Sequence, residues 1–334
     1  MIRREGGLPA AAGRLALFAF LLAFSACSGG PRTSDLPNVK VDSRVAARRA
    51  AHVGETARAA SLWRDLRRAN PRDLEAWVGE ADGARGEMRA TLHAEIESFR
   101  SGLTEKDDQA GDFRALSVFT DPANDPAARE AALENLRRQG DESAITRALL
   151  GRMYLERGEP ARAESEWTPI EGVPFVPLFV LEGLAEARLE AAEREAALEA
   201  LLAVEERGVD DFRLSYNVGT LLMEVREDYE GAAKRFARAR HYHPDDLDVI
   251  LNQSSALILA GKTKEGGRIL EAALEDHPDS PDLLFNLGVF YADHENSPSK
   301  AIASFERYLE VGGEWKLRVE RWLKELREKE GDRS

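Results

Sequence analysis

A single cysteine stands among 334 residues, which excludes an intramolecular disulfide framework and any cysteine-rich zinc site. Basic residues are also scarce: 46 Lys and Arg against 60 Asp and Glu leave a net charge of -14, the wrong sign for neutralising nucleic-acid phosphates. Nucleic acid is therefore not an expected partner. Histidine occurs six times without forming a ligand constellation. His294-Glu295 opens a metal-binding helix pattern, but Pro298 occupies the place of the second histidine. His241 and His243 flank the end of a predicted helix beside Pro244, where a partly cationic ring suits the carbonyl-rich terminus. No metal, cofactor or catalytic group is expected, and the abundant carboxylates read mostly as solvated helix faces. What is present is a 43% apolar, 32% charged composition, enough to bury a core.

Arg3, Arg4 and Arg14 accompany Leu15-Ala-Leu-Phe-Ala-Phe-Leu-Leu-Ala-Phe24, the N-terminal apolar run. It falls well short of the about 20 residues a membrane-crossing helix needs, yet suits the hydrophobic region of a secretory signal. Cys27 follows Phe24-Ser25-Ala26 directly and precedes Ser28-Gly29-Gly30-Pro31. These residues resemble the lipobox of bacterial lipoproteins, with Phe24 where that family usually has Leu. The resemblance implies that residues 1–26 are a signal peptide and that Cys27 is lipidated, anchoring the chain to a membrane through acyl chains such as palmitate. Ser28 after the cysteine implies, by the same resemblance, the periplasmic face of the outer membrane. A strongly acidic body gains nothing from an anionic membrane surface, so acyl chains rather than a basic patch must supply the attachment. Residues 27–42, with Gly, Pro and Ser and no apolar periodicity, read as a flexible tether.

The remainder repeats. Tyr216-Asn-Val-Gly219, Leu251-Asn-Gln-Ser254 and Phe285-Asn-Leu-Gly288 recur at spacings of 35 and 34, and Pro244 and Pro278 stand 34 apart. Small residues at Gly219, Ala232, Gly266, Gly288 and Ala301 allow close helix approach, and Leu222, Phe236, Leu257, Leu270 and Phe305 supply the bulk. This pattern resembles the tetratricopeptide repeat, a helix-turn-helix unit of 34 residues. Less complete units contain Gly151, Tyr154, Gly158, Ala163 and Trp167, and near the N-terminus Ala47, Gly54, Ala59, Trp63 and Pro71. The expected fold is all-α: a right-handed superhelical solenoid with N-terminal repeats over 43–100 and a degenerate junction over 101–142. A C-terminal array follows over 143–327, then a tail over 328–334. Leu317, Trp322, Leu323 and Leu326 predict one apolar side of a terminal capping helix.

Ala256-Leu-Ile-Leu-Ala-Gly261-Lys262-Thr263 fits the loose phosphate-loop pattern, yet its apolar interior and its place at an inter-helix turn argue against nucleotide binding. Asn217, Asn252 and Asn286 hold the same place on three successive first helices, the face that a superhelix turns into its groove. Three stacked carboxamides are able to donate to and accept from an extended peptide backbone, as in some tetratricopeptide proteins. Arg213, Tyr216, Thr220, Leu251, Ser255, Phe285 and Val289 are expected on the same faces. Solubility or an intra-repeat hydrogen bond also explains Asn at this position. The expected role is a non-catalytic interaction scaffold of the bacterial envelope. The alternatives are a soluble periplasmic chaperone-like binder, an accessory subunit of an envelope enzyme, or a divergent enzyme with its pocket around 101–142.

Overall fold

The computed structural model describes residues 42–104, 106–173 and 176–331. The signal segment 1–26, Cys27 and all of the tether but Asp42 lie outside the described residues. The described residues are all-α, a repeat solenoid of helical hairpins, and fall into two compact units that divide between Asp210 and Asp211. The N-terminal unit contains α1 (Ser43–His52), α2 (Thr56–Ala69), α3 (Leu74–Gly83), α4 (Gly86–Arg100) and α5 (Ala110–Thr120). It continues through α6 (Pro126–Arg138), α7 (Ala144–Glu156), α8 (Pro160–Trp167), α9 (Leu178–Glu190) and α10 (Arg194–Glu206). The C-terminal unit contains α11 (Phe212–Val225), α12 (Tyr229–Tyr242), α13 (Leu247–Leu259) and α14 (Thr263–Asp276). It ends with α15 (Pro281–Asp293), α16 (Pro298–Val311) and α17 (Lys316–Gly331).

Local chemistry sets the helix ends. Asp73, Asp125, Ser143, Asp211, Asp246 and Ser280 each accept a hydrogen bond from a first-turn N–H of the helix they precede. Between the helices of a hairpin the chain passes through a left-handed residue: Gly54, Gly158 and Gly261 in three turns, and Ala192, Glu227 and Asn296 in three others.

Packing then follows a small-against-aromatic rule. Phe236 lies on Gly219 and Phe305 on Gly288, where an added Cβ would come to 3.0 and 2.4 Å of the ring. Trp167 is wedged between two glycines: a Cβ at Gly151 or at Gly183 would approach the indole to 2.3 or 2.4 Å. Its Nε1 donates to the Ala148 carbonyl at 3.0 Å, so this buried ring leaves no polar group unpaired. At the C-terminal end Phe305, Tyr308, Val319, Leu323 and Leu326 form one buried cluster with α17 as its lid. Leu317 does not join it, being 80% exposed, because Val319 takes the inward position on that first turn.

One further expectation changes. The stretch 101–142, read as a degenerate junction, carries α5 and α6 inside the N-terminal unit, where α5 packs against α3, α4 and α7. The carboxylates are not all solvated: Asp73, Glu75, Glu80 and Asp112 are buried. Three of these have arginine partners, which lets a charge stay in the interior. Arg44 pairs with Asp73 and Glu75 at 2.5 and 2.7 Å, Arg48 with Glu75 at 2.6 Å, and Arg67 with Glu80 at 2.6 Å.

The N-terminal unit also closes on itself. Arg48 of α1 donates to the Arg207 carbonyl at 3.1 Å, and Arg49 donates to the Gly208 carbonyl at 2.7 Å, both at the C-terminal end of α10. His52 lies 2.5 Å from Glu182 of α9, and Val45 packs against Gly208 so closely that a Cβ there would approach it to 2.8 Å.

Candidate interaction face

Within the C-terminal unit, the first helices α11, α13 and α15 carry the three asparagines at equivalent, half-buried positions. The carboxamides differ in their bonding. Asn217 makes no hydrogen bond among the described residues, and Asn252 donates through Nδ2 to the Tyr216 hydroxyl at 3.0 Å. Asn286 donates to the carbonyl of Asp282, one turn back on its own helix, at 2.7 Å. The intra-repeat hydrogen bond therefore accounts for Asn286, and a bond between hairpins accounts for the amide of Asn252. Both keep a carbonyl oxygen free to accept.

Tyr216 and Asn252 are brought together, joining α11 to α13. The Tyr216 ring stacks on Phe212 at 5.9 Å and meets Phe236 edge-on at 5.7 Å, which fixes the hydroxyl's direction. Thr220 turns its hydroxyl back to the Tyr216 carbonyl at 3.0 Å. Arg213 is exposed, and Ser255 is half-buried on α13. Leu251 packs against the Ile250–Leu270 core cluster. Phe285 does not offer a free ring: it is 8% exposed and lies against Tyr308 and Trp322, each at 5.7 Å. Val289 packs against the C-terminal cluster that holds Phe285, Phe305 and Tyr308, because α16 covers this side of α15.

Electrostatically the face is acidic near the starts of α13 and α15. Partial desolvation and the neighbouring Asp246 and Asp282 carboxylates push the Asp248 carboxyl above its ordinary range. Burial, then Asp248, raise the Tyr216 hydroxyl, opposed by the amide it accepts from Asn252. These aspartates were not among the sequence-predicted site residues. The signal is an aspartate four residues after each repeat-closing proline, Asp248 after Pro244 and Asp282 after Pro278.

The phosphate-loop lookalike is a helix end. Gly261 and Lys262 form the turn between α13 and α14, and Lys262 pairs with Glu230 at 3.0 Å. His294 follows the last residue of α15, so His294-Glu295 does not lie on a continuing helix. His243 meets the Phe212 ring edge-on at 4.4 Å. Among the described residues no group of three or more His, Cys, Asp or Glu is arranged to hold a metal, and no helix is long and apolar enough to cross a membrane. In the N-terminal unit an open cavity of about 580 Å³ is lined by Arg67, Trp77, Glu95, Phe99 and Leu103 among others. Its lining contains no nucleophile paired with a base.

Residues 226–284 match the tetratricopeptide repeat family model, which spans the hairpins α12 to α15 in part. No curated protein matches the chain. Among solved structures the chain is similar to YrrB, described as a tetratricopeptide protein with an unusual peptide-binding site. The identity is 18%, the match covers 57% of this chain and 98% of that one, and the TM-score is 0.46. MamA from Desulfovibrio magneticus RS-1 is similar at 17% identity over 51% of this chain and 95% of its own, with a TM-score of 0.40. The anaphase-promoting-complex hetero-tetramer Cut9–Hcn1 matches at 11% identity over 81% of this chain and 52% of that chain, with a TM-score of 0.37.

Proposed function

We propose that this protein is a non-catalytic interaction scaffold of the bacterial cell envelope, held by lipidated Cys27 at the periplasmic face of the outer membrane. Its α11–α13–α15 face binds an extended segment of a partner protein. The observation that carries the reading is the recurrence of Asn217, Asn252 and Asn286 on successive first helices, each with a carbonyl oxygen free to meet a peptide N–H. The acidic rim formed by Asp246, Asp248 and Asp282 favours a segment carrying cationic side chains. Anchoring confines the scaffold to a surface, which raises its effective concentration for a membrane-bound partner.

A cross-linking pull-down from envelope membranes tests the face, comparing the wild type with the triple variant Asn217→Ala, Asn252→Ala, Asn286→Ala. Enrichment of one assembly by the wild type alone is the expected result, and equal recovery by both contradicts it. The anchor is tested separately by metabolic labelling with a fatty-acid analogue: label lost in Cys27→Ser supports it, and an unlabelled wild type removes it.

A further inference from the structure

Arginines in this chain are generally held by carboxylates, as Arg44, Arg67 and Arg188 illustrate. Three neighbours in the N-terminal unit are not. Arg85 precedes α4 and among the described residues its side chain donates only to the carbonyls of Asp82 and Ala84, at 2.6 and 2.9 Å. Arg89, one turn along α4, caps the C-terminal end of α5, with Nε donating to the Thr120 carbonyl at 3.2 Å and Nη2 to the Phe119 carbonyl. Arg129, in the first turn of α6, donates from its side chain to nothing among the described residues, although its Nε is buried.

Phe119 ties two of them together: the guanidinium carbons of Arg89 and Arg129 lie 5.2 and 6.0 Å from the centroid of its ring. Capping α5 explains Arg89. It does not explain a second guanidinium on the same ring with a buried, idle N–H, since such a group costs free energy wherever water is excluded. The nearest carboxylates are already engaged. Asp121 accepts from the N–H of Ala123 and Asp125 from that of Ala128, both at 2.8 Å, so they reach Arg129 only through space. Burial, with repulsion from Arg129 and Arg85 that Asp121 only partly offsets, brings the Arg89 guanidinium down to about 10. Half-buried Phe119 adds apolar surface between the two guanidinium groups.

We propose that Arg89 and Arg129, which share the ring of Phe119, form with neighbouring Arg85 a receptor site for an oxyanion, either a phosphate or a carboxylate. The oxyanion accepts from the outward Nη–H groups of the three arginines, and it offsets the repulsion among the three cations. The site lies in the other unit from the asparagine face and stands or falls independently of it.

The test is calorimetric titration of the full chain with two probes at fixed ionic strength: inorganic phosphate, and an end-capped tetraglutamate peptide. Saturable binding of at least one probe at one site is expected, weakened roughly tenfold or more by Arg129→Ala, the loss of one charge-assisted contact. Arg85→Ala is a second variant on an exposed position, expected to weaken the same probe. Phosphate alone binding assigns a small ion, and peptide binding assigns an acidic partner segment. Saturation by neither probe, or unchanged affinity in both variants, overturns the proposal.

Discussion

The wedging of Trp167 between Gly151 and Gly183 makes Gly151→Ala an unusually decisive substitution. In an open helix the change stabilises by about 1 kcal/mol, because alanine loses less backbone freedom than glycine. Here the new methyl would sit 2.3 Å from Nε1 and 2.6 Å from Cε2 of the indole. The ring has no room to retreat, since its far edge already lies where a Cβ on Gly183 would be met at 2.4 Å. Overpacking of this kind costs about 1–3 kcal/mol, and more when both the ring and its hydrogen bond to Ala148 must move. The net expectation is a loss of about 1–2 kcal/mol despite the propensity gain, read as a lowered midpoint in urea denaturation with unchanged slope. Repeating the substitution in a Trp167→Leu background removes the obstacle, and there Gly151→Ala should become neutral or stabilising. A stabilising effect in the wild-type background would refute the packing argument.

Other outcomes follow from particular residues. Burial pushes the Asp112 carboxyl up to about 6, so the folded state binds a proton more tightly than the unfolded chain. The Asp112 contribution is therefore fully present below about pH 4 and is lost as pH rises through about 6, by up to about 3 kcal/mol. Asp112→Asn keeps an acceptor for the Ile145 N–H and should abolish that fall in denaturation curves taken across this range. Ala192→Gly, at φ +60, should stabilise by about 1 kcal/mol by relieving a left-handed alanine, measurable as a raised melting temperature. Arg49→Ala removes the hydrogen bond to Gly208 and should cost about 1 kcal/mol, with faster amide exchange in α1 and α10 but not in α7.

The repeat hairpins were legible because their determinants are local and periodic: a small residue on one helix, an aromatic about 17 positions on, and a proline at the close. Gly219 with Phe236 and Gly288 with Phe305 show that rule in sequence and in space. The stretch carrying α5 and α6 lacks this pair and was lost for that reason. What holds it is non-local: Phe113 packs edge-on against Trp77 at 5.5 Å, and Asp112 accepts from the Ile145 N–H at 3.0 Å. Closure of the N-terminal unit left no trace either, since Arg48 and Arg49 reach for backbone carbonyls, which every residue possesses. At the candidate face the asparagines were visible by their register. The fate of Phe285 depended on α17, whose first inward residue is Val319 rather than the expected Leu317.

The role of the α11–α13–α15 face is tested most directly by a photo-crosslinking amino acid placed at Ser255 on α13, with Lys264 on the second helix α14 as the control position. In envelope membranes the Ser255 probe should give a discrete adduct with one partner, absent from the Lys264 probe and lost when Asn217, Asn252 and Asn286 are changed to alanine. Adducts of equal yield from both positions, or an adduct that survives the triple substitution, would contradict the assignment of this face to partner binding.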